Sequence, residues 1–316
     1  MAIAISTSLI AFYAALQFFK IDPVFLRLYP DNWRGLAFST MGNPNFLGSY
    51  FVLTLPIPIY LYLIRGRWIG LPLYALAYFG LLTTRTRGTW IGAMIGFLVL
   101  VALAYRLSTN IRRTMRRIIL LSLISILLFA VFILLTDEVM LNKLLRMFTD
   151  LQLIISHPED ADTAGSNRFY IWQRTVDLIR QRPIFGVGVE NMSLAMYRNF
   201  REMITQDFGR YRNWDKAHNE YLNIALASGI PSLIAYLGFT FTAIGIGWKK
   251  RRDCPLLLPF LAGAIGYMVQ AIFNIQMIIV YYFFMATLGI LVSEVFCQKE
   301  LPIEEIPESL TEMSHD

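Results

Sequence analysis

The sequence predicts an all-α, polytopic bundle of about eight transmembrane helices, with one long, mostly helical loop outside the membrane. Three observations carry this. Hydrophobic residues make up 56% of the chain and charged ones only 16%, well under the roughly 25% charge of an ordinary soluble domain. The apolar residues arrive in blocks long enough to cross hydrocarbon, which takes roughly 20 residues of helix. Basic residues gather in short clusters between those blocks. Helix follows because unpaired backbone groups are not tolerated in lipid.

The blocks fall at about 1–19, 45–64, 69–84, 88–105, 118–135, 230–247, 255–274 and 278–297. The first has no basic leading region and no small-residue cleavage site, so it reads as a retained helix rather than a signal peptide. The GNPNFLG run from Gly42 to Gly48 makes a turn and starts the second block, with Asn43 and Asn45 as caps or hydrogen-bond partners. Pro56, Pro58 and Pro72 kink or loosen their segments without ruling out a span.

Orientation follows from three clusters: Arg65 and Arg67; Arg106, Arg112, Arg113, Arg116 and Arg117; and Lys249, Lys250, Arg251 and Arg252. All fall on one face of the eight-block arrangement, which makes that face cytoplasmic and places both termini inside. The chain divides into helices over 1–135, an extracytoplasmic loop over 136–218, helices over 219–297 and a tail over 298–316. Glu304, Glu305 and Glu308 among prolines make the tail a disordered cytoplasmic end.

The net charge of +6 does not indicate nucleic acid, because it is clustered as topology determinants and no recognition module accompanies it. Cys254 and Cys297 suit neither a disulfide framework nor a metal site. The three histidines, His157, His218 and His315, are far apart, so no metal centre and no cofactor are expected.

From Thr136 to His218 the loop holds eleven basic and eleven acidic residues, and nine of the bases are arginine. Arginine's planar fork suits phosphate and carboxylate better than lysine does; surface ion pairing accounts for most of the nine. Ser166 or Asn167 can cap a helix running RFYIWQRTVDLIRQR and stopping before Pro183. Phe169, Trp172, Val176 and Ile179 share one face, whereas Arg174, Asp177 and Arg180 project elsewhere, giving an amphipathic helix against the bundle or at the interface. In the PIFGVGVENM run that follows, Gly186 and Gly188 permit a tight turn or a close approach of backbone to ligand.

His218 opens HNEYLNIALASG, a helix leading to Gly229 and Pro231. It sits at the predicted outward boundary and at a helix N-terminus, which disfavours imidazolium. Lys216 two residues earlier pushes the same way if it is close in space. A neutral imidazole can accept a proton from a hydroxyl nucleophile, with Asp215 or Glu220 to orient it; a structural histidine is the competing reading. Arg85 and Arg87 lie at the outward ends of adjoining helices, against the usual bias for positive charge inside. They either snorkel to lipid phosphates or form a fixed cationic site for an anionic group. Arg168 is a third cation on the same face.

Four blocks, FSTMGNPNFLGSYFVLTLP, TRTRGTWIG, NRFYIWQRTVDLIRQRPIFGVGVENM and HNEYLNIALASGIPSLIAYL, in this order over about residues 36–240, resemble the O-antigen ligase and Wzy polymerase superfamily. The resemblance implies a metal-independent transferase of GT-C type in the inner (cytoplasmic) membrane, active on its extracytoplasmic face in cell-envelope polysaccharide or lipopolysaccharide assembly. Its partners would be a polyprenyl-diphosphate-linked glycan and a glycan, lipid or protein hydroxyl as acceptor, with membrane lipids around it. It implies that Arg87 and Arg168 hold the diphosphate and that His218 is the base; Arg85 is a near neighbour with no certain counterpart. Family members usually carry several further membrane helices ahead of GNPNF where this chain offers one; either the gene is short, the start is misplaced, or part of the substrate groove is absent. Two alternatives stand beside this: a membrane transporter or bicarbonate-accumulation-related protein, and a protein O-oligosaccharyltransferase. Transport is disfavoured by the lack of mid-span ionisable residues and of an inverted repeat. Glu294, near a helix end, is the closest such residue.

Overall fold

The computed structural model describes residues 1–22, 36–136, 164–275, 277–294 and 297. The first part of the long loop (137–163) and the acidic tail lie outside these, as do residues 23–35. Among the described residues the chain is helical with no strand. The order is α1 (Ala2–Phe18), α2 (Pro44–Thr54), α3 (Pro56–Leu63), α4 (Gly70–Thr83), α5 (Arg87–Arg106), α6 (Ile111–Leu134), α7 (Ala164–Gln181), α8 (Met192–Phe208), α9 (Glu220–Ser228), α10 (Ile230–Lys250), α11 (Leu258–Gln270) and α12 (Ile278–Val292).

The predicted apolar blocks coincide with helices. Four stretches among the described residues are long and apolar enough to cross a membrane: Pro44–Leu63, Arg87–Arg106, Ile111–Leu134 and Ile230–Lys250. Ala2–Phe18, Gly70–Thr83, Pro255–Gln270 and Ile278–Val292 are apolar but shorter. The 14 residues of α4 rise about 21 Å, less than the roughly 30 Å of hydrocarbon.

The first long stretch is the centre of the bundle, almost wholly enclosed, whereas α6 and α10 leave most of their apolar surface facing outward. Proline explains the break between α2 and α3. Pro56 has no N–H to continue the ladder, so the helix ends at Thr54 and restarts with Pro56 in its first turn. Asn43 caps α2, its side chain accepting from the Asn45 N–H at 2.8 Å. Helix α6 begins seven residues before its predicted apolar block, at the Asn110 cap. Hydropathy reports only the part of a helix that needs lipid, and Arg112 to Arg117 extend it beyond.

Helices α5 and α11 approach almost backbone to backbone. A Cβ on Gly92 would lie 2.6 Å from the Gly266 carbonyl oxygen, and one on Gly266 equally close to that of Gly92. Small residues allow such contact where there is no hydrophobic drive between lipid-embedded helices. Gly88, Gly92 and Gly96 recur at four-residue spacing along α5. Gly92→Leu should therefore separate the pair and destabilise the protein by about 1–3 kcal/mol, read as a lower unfolding temperature in detergent.

Basic clusters gather at one end of the bundle: Arg117 lies against Gly66, in the connection that holds Arg65 and Arg67. The turn between α4 and α5, with Arg85 and Arg87, is at the other end.

Candidate functional site

The turn TTRTRGT alternates threonine and arginine for a structural reason. Thr84 donates to the Leu81 carbonyl at 2.7 Å, its hydroxyl pairs with Thr86 at 2.8 Å, and Thr86 pairs in turn with Thr89. Gly48 of α2 leaves room for the Thr86 and Thr89 hydroxyls. With the threonines facing α2, the arginines project elsewhere, and they part company. Arg85, in a left-handed backbone (φ 55), carries its guanidinium over the Phe18 ring of α1 at 5.6 Å. Arg87 is close enough to Arg168 for the two cations to repel.

Arg168 enters from α7. Asn167 adopts a left-handed backbone (φ 64), which asparagine tolerates, and Arg168 follows directly. The buried face of α7 is centred on Ile171, Thr175 and Leu178, with Tyr170 and Ile179 at its margins. It is offset from the Phe169, Trp172, Val176 and Ile179 stripe that periodicity picks out. The run FYIW is apolar on every side, so the sequence does not mark where the stripe should sit. Trp172, one turn after Arg168, donates its indole N–H to the Ala217 carbonyl at 2.9 Å. Its ring also lies 6.4 Å from that of Phe273, which in turn packs against Gly88 next to Arg87.

His218 is held from both sides. Trp172 fixes Ala217, and the Glu220 N–H donates to the Ala271 carbonyl at 2.9 Å. Between these anchors His218 takes φ 50, a left-handed conformation that persists when its surroundings over-determine it. Asn219 caps α9, accepting from the Leu222 N–H at 3.1 Å. Burial holds the imidazole below its ordinary value of 6.5, the Arg168 cation pushes it further down, and Asp215 opposes them. Arg168 is itself lowered, by burial first and then by Arg87. Arg87, Arg168 and His218 thus form one electrostatically linked chain, from three segments far apart in sequence. Lys216 is ion-paired with Glu190; the cation that lowers His218 is Arg168.

Glu220 turns away from the imidazole. It is fully buried and accepts hydrogen bonds from Tyr236 at 2.7 Å and Tyr267 at 3.1 Å. Burial pushes its carboxyl up to about 7, against the pull of both hydroxyls. Periodicity had no means of finding these partners, which lie on α10 and α11. The folded state keeps this proton up to about pH 7, whereas the unfolded chain releases it near 4.5. Its contribution to stability is therefore complete below 4.5 and lost as the pH rises through 7. Glu220→Gln should flatten that decline and melt above the parent at alkaline pH. Glu220→Ala, leaving two tyrosine hydroxyls without their acceptor, should melt lower throughout.

Gly186 and Gly188 make a close approach to the chain's own backbone: the Val187 and Gly188 N–H groups donate to the Leu226 and Ala227 carbonyls at 2.8 and 3.0 Å. A residue group that sequence reading missed lies behind the site. Gln270 accepts from Ser49 and from Asn274, each at 3.0 Å, tying α2 to the end of α11. Below Arg87, a cavity of about 400 Å³ opens between α4, α5 and α6, lined by Tyr78, Leu82, Trp90, Met94 and Phe129 among others.

Helices of this length and apolarity mark a multi-pass membrane protein, and two arginines and a partly buried histidine gather at one end of it. A family model described as O-antigen ligase matches residues 72–237, more than half of the chain and the stretch that carries Arg87, Arg168 and His218. The chain belongs to the O-antigen ligase family. No curated protein matches it.

Proposed function

We propose that the chain transfers a glycan from a polyprenyl diphosphate carrier to an acceptor hydroxyl at the outward face of the inner membrane. The observation that carries this is the convergence of Arg87, Arg168 and a depressed His218. His218 takes the proton of the acceptor hydroxyl, and the acceptor oxygen attacks the anomeric carbon. The bond from that carbon to the diphosphate oxygen breaks, and the electron pair leaves with the diphosphate. A single displacement inverts the anomeric centre. Charge building on the leaving oxygen is met by Arg87 and Arg168, whose mutual repulsion a diphosphate would relieve.

The apolar cavity beneath Arg87 supports the reading, because it offers an isoprenoid tail a path into the bundle from the headgroup site. The basic end formed around Gly66 and Arg117 supports a cytoplasmic assignment for the opposite face. In this reading all eight apolar segments lie in the membrane.

The test is reconstitution of the chain in proteoliposomes with a glycan-charged polyprenyl diphosphate and glycan, lipid or peptide acceptors. The expected result is glycan on one acceptor class with equal release of polyprenyl diphosphate. Intact donor with every acceptor, from protein shown to be folded, would sink the proposal.

A further inference from the structure

The turn after α7 presents large apolar side chains to the outside: Phe185 is 85% exposed, Val189 70% and Ile184 59%. A flexible loop would fold such residues inward. This one cannot, because its backbone is fastened to the junction of α9 and α10. Besides the two bonds to Leu226 and Ala227, the Ile230 N–H donates to the Pro183 carbonyl at 2.7 Å. The seam is too tight for side chains. A Cβ on Gly229 would run into the Ile184 carbonyl oxygen, and one on Gly186 into that of Leu226. Both glycines have positive φ, so glycine is needed on conformational as well as steric grounds.

The seam also fixes the depth of the turn. Helix α10 has 21 residues, from Ile230 to Lys249 and Lys250 at its charged end. At 1.5 Å per residue it rises about 31 Å, close to the roughly 30 Å of a bilayer's hydrocarbon. With the lysines at one headgroup layer, Ile230 sits at the opposite hydrocarbon boundary. Pro183, whose carbonyl is bonded to it, leads directly into Ile184 and Phe185. The outward apolar surface of α10, with Ile230 and Ile234 exposed at 41% and 64%, continues into theirs.

We infer that the Pro183–Val189 turn is a rigid lipid-inserting element that seats the extramembrane helices on the bilayer. Its occupant is the lipid of the leaflet in which α10 begins. Burial of apolar side chains in the interface is favourable, and preordering by the glycine seam removes the entropy cost of presenting them.

The inference is independent of the glycan-transfer reading. Its test places a tryptophan at the tip, Phe185→Trp in the full chain, reconstituted in liposomes with and without acyl-brominated lipid. Most of the emission added over the parent should be quenched by bromolipid and little of it by aqueous acrylamide. A nitroxide at Phe185→Cys, with Cys254 and Cys297 replaced by alanine, should likewise relax more with oxygen than with a water-soluble nickel chelate, as a label at Ile234→Cys does. Acrylamide quenching with nickel access would place the turn in water and overturn the inference. Protection from all four reagents would show protein on the tip, and would overturn it equally.

Discussion

His218→Ala should lower glycan transfer on the order of 100- to 10,000-fold, the range that a positioned general base contributes, with expression, membrane insertion and unfolding temperature near those of the parent. Stability should survive because the anchors around position 218 are backbone and neighbouring groups: the Ala217 carbonyl held by Trp172, the Asn219 cap and the Glu220 N–H on Ala271. Alanine in a left-handed backbone carries some strain, so His218→Asn, which tolerates φ 50 better, is the companion variant. In the parent, activity should rise with pH as the imidazole loses its proton. That limb should lie below 6.5, because burial and Arg168 both disfavour the charged ring. Transfer at parental rate by both variants would leave His218 a structural residue.

Arg168→Gln should do two things at once. It removes one of the two cations proposed to face the departing diphosphate, a loss of about 100- to 1,000-fold by comparison with deletion of one oxyanion donor. It also removes the charge that helps to lower His218. The acid limb of the residual activity should therefore move to higher pH, although not to the free-imidazole value while burial remains. Arg87→Gln should cause a comparable loss of rate with a smaller displacement of that limb, since Arg87 acts on Arg168 and is not among the charges that shift His218. Arg85→Gln, whose guanidinium rests on Phe18, should cost much less. A limb that stays fixed in Arg168→Gln would show that the two groups are not coupled in the working enzyme.

Much of this molecule was legible before any coordinates. Runs of apolar residues place the helices because the need to satisfy backbone groups in lipid is local and indifferent to tertiary detail. Asn43 and Asn45 read as caps or hydrogen-bond partners, and the structure makes Asn43 the cap, accepting from the Asn45 N–H. His218, Arg87 and Arg168 stand out as charges and a base where hydropathy predicts an outward boundary, and the family resemblance attaches to the same positions. The sequence left the answer open where one stretch allowed several. The FYIW run has no polar side to set the buried face of α7, and Lys216 was the nearest cation to His218 in sequence but is engaged with Glu190.

What the sequence alone determined is the class of protein and the inventory of its chemistry: which segments are apolar enough to be membrane helices, and which side chains could bind anions or move a proton. Tertiary structure decided which of them act together. It brought Arg87 to Arg168 and Arg168 to His218, sent Arg85 to Phe18 and Glu220 to two tyrosines, and locked the Phe185 turn against Gly229. Those outcomes depend on segments separated by tens of residues meeting at particular depths. Local periodicity, which repeats within a single helix turn, holds no information about them.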